Sequence, residues 1–128
     1  MRKAHAEHNE KLCDLLRKNG EFNDWVITTA FYSAVNLVKH EIFPIKEKNE
    51  SYIDFEDYYF GLPETTRPNK HQALINLVKR KLSAASIFYK KLFDDCNIAR
   101  YHDFHVTEEQ AKTARTMLSK LNGVCKKA

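Results

Sequence analysis

Residues 25–38 constrain the fold more than any other stretch. Trp25, Val26, Ile27, Ala30, Phe31, Ala34, Val35, Leu37 and Val38 cover most of a helical circumference. A helix that is apolar nearly all round has no face to offer water, so it belongs at the centre of a core with other helices packed around it. Thr28, Thr29, Ser33 and Asn36 interrupt the run, leaving it too short and too polar to span a bilayer. Pro44 ends it, because proline lacks the amide hydrogen that the next turn requires.

The flanking sequence supplies those other helices. Only three glycines and three prolines punctuate 128 residues; an all-β fold needs many tight turns, so this scarcity favours long helices. A first helix is predicted over 4–19, with Leu12, Leu15 and Leu16 as its apolar stripe and Gly20 after its end. Asn23 or Asp24 can cap the central helix, with Phe22 stapling its entry. A third helix begins near Pro68-Asn69 and carries Leu74, Leu77, Val78 and Leu82 at helical spacing. A fourth runs from Ser83 to about Ala99, with Ala84, Ala85, Phe88, Leu92, Cys96 and Ala99 on one face. Thr107 to Gln110 reads as a capping box. It opens a last helix striped by Ala111, Ala114, Leu118 and Leu121 and ended by Gly123. The expected fold is all-α, an antiparallel four- to five-helix bundle forming a single domain over 1–128. Residues 44–69 stand apart as a long connecting segment. Tyr52, Ile53, Phe55, Tyr58, Tyr59 and Phe60 are too many aromatic and apolar groups for a free linker, so a packed segment with room for a short helix is expected. An exposed partner patch is the rival, and a base-stacking platform is disfavoured because the acids among them repel phosphate.

Charge separates the same two regions. The chain carries +4 overall, but residues 44–69 carry −3, leaving +7 on the helical body. A basic body hints at a polyanionic partner. The first residues contain no apolar run of the secretory type. Cys13, Cys96 and Cys125 are odd in number and widely spaced, which reads as reduced thiols, Cys13 and Cys96 in the core. A cytoplasmic protein without a membrane segment is expected.

No Gly-rich phosphate loop, G-x-S-x-G or H-E-x-x-H is present. What remains is Arg100-Tyr101-His102-Asp103-Phe104-His105, between the last two long helices. A histidine near neutral pKa can take or give a proton, and a guanidinium can hold a phosphate and offset charge in its transition state. Together they suit RNA cleavage by the RNA's own 2′-hydroxyl, which needs neither metal nor cofactor. The plainer readings are a cation on helix-end carbonyls for Arg100, a loop imidazole beside a cap for His105, and packing for Tyr101 and Phe104. His102, Asp103 and His105 suit zinc chemically but lack a fourth ligand, so no metal site is expected. His5 and His8, Lys79-Arg80-Lys81 and Lys90-Lys91 read as solvated faces, with RNA phosphate contact the rival for the basic runs. His71 reads as structural or cleft-lining.

Three stretches, "DWVITTAFYSAVNLV", "HQALINLVKRKL" and above all "ARYHDFHVTEEQAKTARTML", resemble the HEPN family of small helical bundles, and the resemblance covers most of the chain. The last looks like the family's Arg-x(4–6)-His motif followed by an Ala-rich helix, which places Arg100 and His105 at the two motif positions. The spacing alone is a weak signal, since Arg2 and His8 satisfy it too; the weight rests on the position between two helices. The resemblance implies a HEPN-like fold and a homodimer lining one cleft with both motifs. It also implies a metal-independent endoribonuclease, cleaving RNA to 2′,3′-cyclic phosphate ends in a toxin or defence role. Active members usually carry Asn, Asp or His directly after the motif arginine. Here Tyr101 stands there and His102-Asp103 follows, so Tyr101, His102 and Asp103 are the supporting candidates. The alternative is a non-catalytic nucleotide- or protein-binding module, acting with a nucleotidyltransferase-like or antitoxin partner.

Overall fold

The structure, a computed structural model, describes residues 2–101 and 105–125, and only the backbone of Tyr101. The elements run α1 (Arg2–Asn19), α2 (Asn23–Ile42), β1 (Ile45–Glu47), β2 (Glu50–Tyr52), α3 (Phe55–Phe60), α4 (Lys70–Lys81), α5 (Ser83–Tyr101) and α6 (Glu108–Val124). The chain is mostly helical. No helix among the described residues is long and apolar enough to cross a membrane.

Helix α2 is the centre: α1, α5 and α6 pack around it, and α4 packs mainly on α5. Val26, Ile27, Ala30, Phe31, Ala34, Val38 and Ile42 are buried, and so are Thr28, Thr29 and Ser33. A buried hydroxyl without a partner costs a few kcal/mol, and each of these finds one. Thr28 donates to the Asp24 carbonyl at 2.9 Å and Thr29 to the Trp25 carbonyl at 2.8 Å. Ser33 reaches across to the Ala6 carbonyl of α1 at 2.7 Å.

That α1 contact reverses one sequence expectation. The buried residues of α1 are Ala6 and Cys13; of the three expected leucines Leu16 packs half-buried against the core, whereas Leu12 and Leu15 are 40% and 66% exposed. Ala6 and Cys13 lie two turns apart on one line. Their small side chains let the Ser33 hydroxyl of α2 and the Cys13 thiol make direct inter-helix bonds, the thiol to the Val26 carbonyl at 3.4 Å.

Helix α6 follows its sequence. The Thr107 hydroxyl accepts from the Gln110 amide at 3.1 Å, and the Gln110 side chain accepts from the Thr107 amide at 2.7 Å. Ala111, Ala114, Leu118 and Leu121 are all buried. Gly123 does not end this helix, which continues to Val124 with the Cys125 amide donating to the Leu121 carbonyl. Nor do Asn23 and Asp24 cap α2. Phe22 occupies the cap position without a side-chain bond and is 45% exposed. The Asn23 amide is instead used on the Val106 carbonyl, at 3.4 Å. In α5, Ala85, Leu92, Cys96 and Ala99 are buried as expected, but Ala84 is exposed and Phe88 half-buried, and Tyr89 takes up core space at 1% exposure.

The connection 44–69 holds more order than one short helix. Strands β1 and β2 pair antiparallel through a two-residue turn, Lys48 and Asn49, both at positive φ (50° and 68°). Turns of that hand match the twist of paired strands. Asp54 then caps α3, accepting from the Asp57 amide at 2.9 Å. Arg80 of α4 ties the unit down, donating to both Glu47 oxygens (3.0 and 2.9 Å) and to the Tyr58 hydroxyl (2.9 Å).

Candidate functional site

Arg100 lies exposed in the last turn of α5. Side chains of a helix lean toward its N-terminus, and α5 passes α2, so the guanidinium is carried along α2. It donates to the Tyr32 hydroxyl and lies over the Tyr32 ring, 5.7 Å from its centroid. Tyr32 adjoins Phe31, with centroids 5.8 Å apart. His71, from the first turn of α4, packs 5.9 Å from Phe31 and 5.6 Å from Phe93. Three helices thus converge on one aromatic cluster, which Tyr32 with Arg100 and His71 both adjoin through Phe31.

The electrostatics are one-sided. Burial lowers the His71 pKa, and the charges of Lys39 and Arg100 lower it further. An imidazole held below its ordinary value of about 6.5 is neutral at pH 7 and able to accept a proton. The Lys39 ammonium is destabilised in turn by burial and by Arg2 and Lys70, with Glu56 opposing. Glu56 is the acid of this neighbourhood, 3.6 Å from Arg2 and 3.7 Å from Lys39.

His105 is exposed on the connection that precedes α6. Its neighbour Val106 is held to Asn23 at the start of α2, whereas Arg100 is held to Tyr32. Those two anchor points are nine residues apart, about 13 Å along a helix axis. The Tyr101 side chain, His102, Asp103 and Phe104 lie outside the described residues. Among those described, no group of three His, Cys, Asp or Glu gathers as a metal site.

Sequence reading left His71 between two roles and did not single out Tyr32. Tyr32 does carry one signal: it stands seven residues after Trp25, and both are exposed on α2, at 36% and 50%. The basic runs are largely paired, Lys90 with Asp94, Lys91 with Asp95 and Arg80 with Glu47. A cleft of about 560 Å³ between the hairpin, α3 and α4 lies among those paired charges, Glu47 and Arg80. No known protein family, curated protein or solved structure matches this chain.

Proposed function

We propose that this chain is a HEPN-like, metal-independent endoribonuclease that cleaves RNA to 2′,3′-cyclic phosphate ends, in a toxin or defence role. The observation that carries this reading is the Arg100 guanidinium, exposed yet pinned by the Tyr32 hydroxyl and ring amid other cations. A long side chain held in place loses less freedom when it meets a phosphate, and its planar fork suits two phosphate oxygens. In the reaction His105 takes the proton of a 2′-hydroxyl, and the 2′-oxygen bonds to phosphorus as the P–O5′ bond breaks. The 5′-oxygen leaves with a proton that His105 gives back, directly or through solvent, so His105 returns to its starting state and no water or redox partner is consumed. A homodimer belongs to this reading. Trp25 and Tyr32 of α2 and Ile98 of α5, on the two helices that carry the site, keep 50%, 36% and 48% exposure and offer apolar surface to a second copy.

The same exposed surface favours a second reading, a binding module without catalysis that docks a nucleotidyltransferase-like or antitoxin partner. One experiment separates them. Purified protein incubated with RNA in chelator yields 2′,3′-cyclic ends under the first reading only. His105→Ala then removes roughly 10²–10⁴-fold of rate, the scale of a general acid–base group. Arg100→Lys is also poor, because an ammonium cannot make the paired contact. These losses count when the melting temperature is kept. Cleavage at the wild-type rate by folded His105→Ala overturns the assignment. Absence of cleavage by the wild type, with or without divalent metal, leaves the module reading standing.

A further inference from the structure

Two rings close α3, Tyr59 half-buried and Phe60 exposed, and two cations lie on them, Arg67 from the connection before α4 and Lys70 from its first turn. The Arg67 guanidinium lies 5.1 Å from the Tyr59 centroid and 5.4 Å from that of Phe60. The Lys70 ammonium lies 5.8 and 5.1 Å from the same two. Phe60 is nevertheless 62% exposed, so ring surface is left for another partner. An exposed phenyl ring beside solvated cations costs hydration and is not required by the core. The Tyr59 hydroxyl already serves the fold by donating to the Pro68 carbonyl at 2.8 Å.

This cluster is continuous with the Arg100 site. Lys70 and His71 are successive residues in the first turn of α4. Lys70 faces Tyr59 and Phe60, while His71 faces Phe31 and Phe93. A second route joins them: Tyr59 stacks on Phe55 at 5.8 Å, and Lys39 lies 5.0 Å over the Phe55 ring. The His71 imidazole feels both Lys39 and Arg100. A row of cations therefore runs from Arg67 and Lys70, past Lys39 and His71, to Arg100 on Tyr32. Phe55 and Phe31, the rings beneath its middle, are buried at 2% and 3%, so exposed ring surface lies at its two ends, Phe60 and Tyr32. Glu56 interrupts it by taking up part of the Lys39 and Arg2 charge.

We infer that this row is a track for single-stranded RNA, in which a base stacks at Phe60, Arg67 and Lys70 hold flanking phosphates, and the strand continues to Arg100. Exposed rings beside cations at both ends, Phe60 and Tyr32, select the ligand. Cations alone would suit any polyanion, but rings pay off only against unpaired bases, since duplex bases are already stacked. The inference takes its ligand class from the ribonuclease reading but does not depend on cleavage.

The test is fluorescence anisotropy with a 2′-O-methyl oligonucleotide, which cannot be cut, as single strand and as duplex. Polyglutamate serves as a competitor of matching charge. The single strand binds more tightly than the duplex and is not displaced by polyglutamate. Phe60→Ala weakens it about tenfold or more, the scale of one lost stack. Lys70→Glu weakens it most at low salt and lowers the salt slope by about one or more. Both residues are exposed, and circular dichroism checks that both variants fold. Unchanged affinity in folded Phe60→Ala and Lys70→Glu overturns the track, whatever the protein cuts. Equal binding of duplex, or displacement by polyglutamate, overturns it in favour of a generic polyanion or acidic-protein surface. Binding that depends on Phe60 and Lys70 without cleavage of ordinary RNA supports the track and removes the nuclease.

Discussion

His71 shows how a residue's surroundings set its chemistry. The residue is exposed, but its ring lies against Phe31 and Phe93, so protonation means charging a partly desolvated imidazole with Lys39 and Arg100 nearby. Its folded pKa is therefore below the unfolded one. The unfolded chain binds the proton more readily, so this residue's share of stability is complete above about pH 6.5 and is lost as pH falls through the unfolded and then the folded value. By proton magnetic resonance His71 should titrate below 6.5, and Arg100→Gln should move it upward by removing one repelling charge. The unfolding midpoint should fall between pH 7 and 5 by less in His71→Gln than in the wild type. Titration at or above 6.5 would contradict the packing described. A neutral His71 beside Arg100 also matters to the site: it adds no fixed charge at neutral pH yet gains one in mild acid, where phosphate binding should tighten.

At the scale of elements, local chemistry was legible and choice of neighbour was not. Helix α6 could be read outright because its signals are internal: Thr107 and Gln110 satisfy each other's amides, and the Ala111, Ala114, Leu118 and Leu121 stripe repeats at the helical period. Thr107→Ala should cost about 1 kcal/mol and lower the melting temperature by about 2–5 °C. A smaller loss in Glu109→Ala, on the same turn, would tie the effect to the cap; equal losses would refute it. Helix α1 misled in part: Leu16 does pack on the core, but Leu12 and Leu15 outweigh one alanine and one cysteine in any periodicity, while Ser33 and Val26 of α2 select the smaller seam. The hairpin was missed because its turn is Lys48-Asn49, without the glycine that usually marks two positive φ angles. Arg100 could be singled out from its place at a helix end. Its partner Tyr32 and neighbour His71 could not, since only the crossing of α2, α4 and α5 brings together positions 32, 71 and 100.

The molecule as a whole divides by how each part is held. Helices α1, α5 and α6 bury α2 by apolar contact, with Leu92, Leu118, Leu121 and Val38 at 0% exposure. The hairpin has strands of three residues, and a two-stranded sheet of that size has little stability of its own. With α3 it rests on the body through the rings of Phe55 and Tyr58, which meet Phe43 after α2, and through charge. Glu47 meets Arg80 at 2.9 Å and Lys81 at 3.9 Å, and Glu56 meets Arg2 and Lys39. The −3 of residues 44–69 thus docks on the +7 of the body. Contacts of this kind weaken with salt, whereas apolar burial does not. Amide hydrogen exchange should therefore find two rates. Amides of β1, β2 and α3 should exchange by local opening, faster in 0.5 M salt and faster again in Glu47→Gln, while those of α2 and α6 exchange only with global unfolding. Protection of the hairpin amides equal to that of α2, unchanged by salt and by Glu47→Gln, would show one cooperative unit. Because Phe60 sits on the detachable part and Arg100 on the rigid one, the same salt that loosens the hairpin should also part the two ends of the proposed RNA track. Its affinity should then fall more steeply with salt than its phosphate contacts alone require.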